Sequence, residues 1–245
     1  MLSLAPALLL PSAAASTGAS RELLPDLVTR KHAKIYLQVT KREKRFVRFS
    51  NEVVNAGIGP LELRPRADDC NGNGDLGDDR TSYQRIYRDA DGDGGFTRGV
   101  DGSFRTRRAG CTRFHPAHKH WHFEALAEYR LRPVVPLVPK RKVSSCVLDS
   151  RRRLPKAQGS PRRKYYGACR RDSIGGISIG WGDLYGARVS GQELDVTPLG
   201  DGVYCLVSTA DPENRVVESN EANNTRTTRI VLRGATVAWR PYRSC

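Results

Sequence analysis

Eight short runs of alternating, β-branched or aromatic residues, with no long amphipathic helical pattern between them, confine this chain to a mainly β fold. The runs cover residues 35–39, 46–54, 61–63, 121–131, 142–148, 193–196, 203–207 and 225–232, and Gly, Pro, Asn and Asp punctuate them. Such a pattern predicts a β-sandwich core carrying long irregular loops. The chain has 245 residues and no low-complexity linker, so one domain over residues 21–245 is expected. Residues 1–20 are rich in Leu and Ala, lack charge before Arg21 and pass through Ala13-Ala14-Ala15, although no basic residue precedes the apolar stretch. That composition reads as a secretory signal peptide and implies a secreted protein. No later apolar run reaches the length of about 18 residues that a membrane span needs.

Six cysteines without a Cys-x-x-Cys suit disulfides in an oxidising compartment better than a thiolate metal site. Proximity favours pairing Cys146 with Cys169, and the other pairings stay open. The net charge is +15, and residues 140–171 hold twelve Lys or Arg against one acid, Asp149. This segment is expected to be a solvated basic loop able to attract polyanions such as anionic cell-wall polymers. No nucleic-acid recognition motif accompanies it. Residues 68–101 read as a loop rich in Gly and Asp, where Asp89-Ala90-Asp91-Gly92-Asp93-Gly94 starts like a calcium loop and residues 69–74 repeat it more weakly. Val100 stands where an EF-hand needs a bidentate Glu, which leaves a calcium-stabilised loop or a plain acidic turn. Gly176-Ile177-Ser178-Ile179-Gly180 fits the serine-hydrolase elbow, but no histidine follows His122, which argues against that chemistry.

The chemistry-bearing feature is a cluster of four histidines, His115, His118, His120 and His122. On an extended strand, the His-x-His-x-His at 118–122 would place three imidazoles on one face at intervals of roughly 7 Å. Neutral imidazole is shared by Zn, Cu, Fe and Ni, so the spacing points to a metal without choosing it. The alternative is a histidine-rich strand that packs or faces water. A zincin helix is excluded, since no His-Glu-x-x-His occurs.

With these residues in view, the chain resembles the lysyl oxidase family in a shortened bacterial form. The matching stretches are Pro25-Asp26-Leu27-Val28, Asn55-Ala56-Gly57-Ile58-Gly59-Pro60-Leu61, and residues 117–122, 142–148, 183–187 and 218–224. The likeness runs from about residue 25 to 232 and is thinnest in the acidic loop and at 150–172. It implies copper on His118, His120 and His122, with His115 structural or supporting. It also implies a lysine tyrosylquinone made from Lys142, four residues before Cys146, and Tyr185, which opens Tyr185-Gly186-Ala187. To form it, Lys142 must be neutral, against an ordinary pKa near ~10.4. The implied activity is oxidation of primary amines or peptidyl lysine to aldehyde, with dioxygen consumed and hydrogen peroxide and ammonia released. Glu128 and Asp183 are the candidates for the proton-abstracting base. The family also implies a calcium ion on Asp26, the Leu27 carbonyl, Glu218, Asn220, Asn223 and Asn224, and the density of oxygen donors at 218–224 independently suits a hard cation. The rival reading is a secreted, non-catalytic, metal-binding β-sandwich that adheres to anionic cell-envelope polymers.

Overall fold

A computed structural model describes residues 20–132, 140–240 and 245, with the backbone alone at 140–142. The expected signal peptide lies outside the described residues. Among the described residues sixteen strands occur: β1 (Glu22–Leu23), β2 (Leu27–Thr29), β3 (Ala33–Val39), β4 (Arg45–Asn55), β5 (Leu61–Arg66), β6 (Asp79–Arg88), β7 (Phe104–His115) and β8 (His120–Arg132) come first. They are followed by β9 (Lys140–Ser145), β10 (Arg151–Arg152), β11 (Gly175–Ile177), β12 (Trp181–Tyr185), β13 (Glu193–Asp195), β14 (Gly202–Ala210), β15 (Thr225–Arg233) and β16 (Thr236–Trp239).

Two sheets form. The larger has ten strands in the order β11-β5-β6-β7-β8-β14-β15-β16, with β1 against β6 and β9 against β8. The smaller has six and is organised around β4, which pairs with β2, β3, β12 and β13, while β10 pairs with β12. The two layers are held together by apolar side chains from both: Val47 and Phe49 of β4 and Leu194 of β13 join Tyr129, Leu131, Leu206 and Ile230 of the larger sheet in one cluster. Phe49 meets Tyr129 edge to face at 4.8 Å, a geometry that suits the ring quadrupoles. A second cluster, including Val53, Phe123, Leu126, Ile177 and Trp181, packs the end of the molecule near the histidines. The expected mainly β sandwich with long loops is therefore what forms.

Asn55 explains the motif that follows it. The side chain is fully buried and accepts from the amides of Asp26 and Gly57 while donating to the carbonyls of Gly59 and Ile177. A Cβ at Gly59 would lie 1.9 Å from the Leu23 carbonyl oxygen, so only glycine permits this turn to dock on the N-terminal segment.

Two expectations are corrected. Residues 68–101 are not one loop, because they contain β6, whose buried side chains from Asp79 to Gln84 are polar and so escape a hydropathy pattern, with apolar burial only at Ile86 and Tyr87. Ser82 bonds Thr112, and Gln84 is paired in both directions with the Val217 backbone. Residues 140–171 are more than a solvated loop: they hold β9 and β10, and Asp149 and Tyr166 are buried, Asp149 accepting from the amides of Tyr165, Tyr166 and Ser178. Ser178, in the excluded elbow motif, donates its hydroxyl to Asp149. Three disulfides close the fold, Cys146–Cys169 as expected, with Cys70–Cys111 and Cys205–Cys245.

Candidate metal centre

The histidines sit on the hairpin joining β7 to β8. His115 ends β7 opposite His120, the first residue of β8, and Arg113 faces His122. Between them Pro116 cannot donate to a ladder. The chain turns there, with the amides of His118 and Lys119 both donating to the His115 carbonyl and Lys119 in the left-handed region at φ 56°. This corrects the premise that His118, His120 and His122 share one strand: His118 lies in the turn, and only His120 and His122 alternate on β8.

The turn brings all four rings together nonetheless. His115 stacks on His118 at 4.2 Å, His120 is 4.7 Å from His122, and His115 is also 4.7 Å from His122. One ring nitrogen each of His115, His118 and His122 lies within 4.8 Å of the others, so the tightest nitrogen trio includes His115 in place of His120. His118 Nδ1 and His122 Nε2 stand 3.3 Å apart. Tetrahedral ligands at about 2.0–2.1 Å from one ion are separated by about 3.3–3.4 Å, so this pair already has ligand spacing. The buried Nδ1 of His115 has no hydrogen-bond partner among the described residues.

The electrostatics favour the ligand form. Burial first, then the neighbouring imidazoles, lowers His122 to about 3, and the same causes lower His118. Both are neutral near pH 7, leaving lone pairs available. His122 Nδ1 lies 3.1 Å from Ser144 Oγ on β9, which turns Nε2 toward the cluster. Sequence reasoning missed Ser144, whose only signal is its place on a strand beside β8.

Beside the histidines opens a pocket of about 360 Å³, walled by His118, His120, Cys146, Asp183 and Tyr185 together with Leu148, Leu184 and Val189. Tyr185 ends β12 and donates its hydroxyl to the Cys146 carbonyl at 3.4 Å. Burial and the Asp183 carboxyl hold its phenol protonated, well above its ordinary pKa. Asp183 is itself buried, and desolvation, reinforced by Asp149 and Glu52, pushes it far above the carboxylate range. Its Oδ1 accepts from Ser150, and its Oδ2 has no hydrogen-bond partner among the described residues. Lys142 is placed by its backbone on β9, opposite Glu128 of β8, and its side chain lies outside the described residues. Glu128 is buried on β8 and is not among the pocket-lining residues.

The residues expected to hold calcium also converge. Asn223 donates to Asp26, Asn224 donates to Glu218, and the Leu27 amide, where the carbonyl was expected, donates to Glu218. The buried Oδ1 atoms of Asn223 and Asn224 lack partners among the described residues. Asn220 instead caps its own turn, accepting from the Ala222 amide. Asp211, absent from the sequence reading, and Glu221, part of the oxygen-rich 218–224 turn but not among the expected ligands, lie with Glu218 so that their carboxylates fall within 4.8 Å of one another, and burial raises Glu218 to about 8. In the 89–101 loop the carboxylates of Asp89, Asp91 and Asp101 likewise fall within 4.8 Å of one another, and the loop's own amides also engage two of them: Gly92 and Gly94 donate to Asp89, and Ala90 and Thr97 to Asp101.

Comparison with known proteins agrees with this geometry. The family model described as "Lysyl oxidase" matches residues 102–241, a span containing the histidine hairpin, β9, β12 and the Asn-rich turn. Lysyl oxidase homolog 4 of Mus musculus is 28% identical over 114 residues, which is 45% of this chain and 14% of that relative. The chain thus spans a small part of the curated relative it matches. Since the family match takes in more than half of the sequence and every element that shapes the pocket, the chain belongs to the lysyl oxidase family.

Proposed function

We propose that this protein is a secreted, copper-dependent amine oxidase of lysyl oxidase type, with residues 21–245 as its catalytic domain. One observation carries the reading: a single pocket has both His118 and His120 and the phenol of Tyr185 on its wall. His118, His120 and His122 would hold copper, with the His115 ring stacked where its nitrogen can approach the same ion. Lys142 and Tyr185 would furnish the lysine tyrosylquinone. When bound, copper and this quinone supply the electron acceptor that side chains lack and hand the electrons to dioxygen. The overall reaction converts a primary ammonium, dioxygen and water to aldehyde, ammonium and hydrogen peroxide.

The chain's own residues handle position and protons. Leu148, Leu184 and Val189 give the pocket an apolar wall that limits water beside Tyr185. Burial holds the Asp183 carboxyl well above its ordinary pKa in the free protein, and a seated ammonium favours its ionised form by direct attraction. We assign the Asp183 carboxylate, on the pocket wall, to take the proton from the substrate carbon that bears nitrogen. Calcium would rest on Asp26, Glu218, Asn223 and Asn224, aided by Asp211, tying the segment at Leu27 to the turn before β15; the orphaned amide oxygens of the two asparagines suit a hard cation. Three disulfides support an oxidising, extracellular setting, and among the described residues no helix is long and apolar enough to cross a membrane.

The test is aerobic incubation of copper-loaded protein with a panel of primary amines. Peroxide release and visible quinone absorbance are expected, both lost in Tyr185→Phe, and tryptic mass spectrometry should find the peptides of Lys142 and Tyr185 linked. Copper binding with no peroxide from any amine would overturn the proposal in favour of a non-catalytic metal-binding sandwich.

A further inference from the structure

A second, larger cleft of about 860 Å³ adjoins the pocket. Its wall carries Arg30, Lys31, Lys34, Arg151, Arg153 and Arg188. The carboxylate on that wall, Glu52, is buried and already engaged by Arg153 at 2.6 Å and Arg30 at 3.5 Å. Cleft and pocket are contiguous: both are lined by Leu184, and neighbours in sequence line one and the other, Arg151 beside Ser150 and Arg188 beside Val189. A cleft lined by one sign of charge focuses its field and concentrates counter-ions.

A lone amine needs only the pocket, and its positive charge is repelled by the cleft. We infer that the cleft docks an acidic polypeptide segment, so that the preferred substrate is a lysine flanked by Asp or Glu. The acidic flanks cancel the repulsion of the lysine by the cleft and lead it across Leu184 to the pocket. The substrate-class part of this inference rests on the amine-oxidase reading, whereas docking does not. A nucleic-acid strand fits less well, since among the described residues Tyr36 is the one aromatic on the wall and successive bases would find no stacking platform.

The experiment separates docking from chemistry. Fluorescence anisotropy would compare peptides with a central norleucine, which cannot be oxidised, flanked by Glu or by Ala. The Glu peptide should bind at least about tenfold more tightly at low salt, lose that advantage as salt rises, and lose it in Lys34→Glu and Arg151→Glu proteins of unchanged melting temperature. In parallel, the ratio of kcat/KM for the Glu-flanked lysine peptide to that for n-butylamine should fall about tenfold in the same variants. Equal binding of the two norleucine peptides would overturn the inference. So would tighter, Lys34-dependent binding of a single-stranded oligonucleotide of equal charge. If the Glu-flanked norleucine peptide is preferred but neither the Glu-flanked lysine peptide nor butylamine yields peroxide, docking stands and the amine-oxidase reading falls.

Discussion

Two histidine environments in this molecule resemble each other in burial and differ in what their nitrogens meet. His32 is 1% exposed and lies edge to face on Phe49, with Nδ1 at 2.8 Å from Thr228 Oγ1 and Nε2 at 2.6 Å from Ser208 Oγ. His122 is 3% exposed, has one hydroxyl partner in Ser144, and turns its other nitrogen to a neighbouring imidazole. Burial depresses the basicity of both to about 3. The shift therefore does not separate a structural from a ligating histidine. The partner inventory does: hydroxyls adjust to either tautomer and satisfy His32 completely, whereas converging ring nitrogens are satisfied best by a shared cation.

The largest expected effect tests that contrast directly. His122→Ala should abolish copper binding and peroxide production while the fold persists, and His32→Ala should do the reverse, keeping copper but costing about 3 kcal/mol by orphaning two buried hydroxyls and opening a cavity beside Phe49. Metal analysis with denaturant unfolding reads both, and copper loss in His32→Ala would break the comparison. Next, Asp183→Asn should lower kcat by about 10²–10⁴ with copper content intact; an unchanged kcat would remove Asp183 from proton transfer. Ser144→Ala, which deletes the single hydroxyl on His122, should weaken copper about 10–100-fold in competition with a chelator. The last test concerns pH. His32 titrates at 6.5 when unfolded and about 3 when folded, so between these values the unfolded chain binds a proton that the native state refuses. The His32 contribution is full above pH 6.5 and is lost as pH falls toward 3, with a slope of about 1.4 kcal/mol per pH unit that His32→Gln should remove, while that of His122, shifted alike, persists.

Much of this was legible in the sequence, for reasons that also explain the omissions. Each of the eight expected strands has a counterpart because apolar alternation marks a strand with one face on the core, as in Val47 and Phe49 of β4. β6 was hidden because buried side chains in its first half include Ser82 and Gln84, which are stabilised by pairing rather than by hydropathy, leaving Ile86 and Tyr87 too short an apolar signal. The histidine cluster was evident from composition, but strict alternation misassigned His118, since Pro116 starts a turn that folds His115 back over it. Asp211 is seven residues before Glu218 in the chain, and nothing in its neighbours signals that the loop after β14 brings the two carboxylates together. Cys70–Cys111 depends on the β6–β7 register, which places Thr81 opposite Cys111 while the Cys70 amide bonds Asp79.

Lys142 and Tyr185 belong to different layers, β9 to the larger sheet and β12 to the smaller. A covalent bond between them would act as a rivet through the sandwich, and a crosslink closing a loop of this size adds about 2–4 kcal/mol by restricting the unfolded chain. Maturation would then be recorded in heat resistance: freshly folded molecules melt first, and those that have completed their own chemistry outlast them.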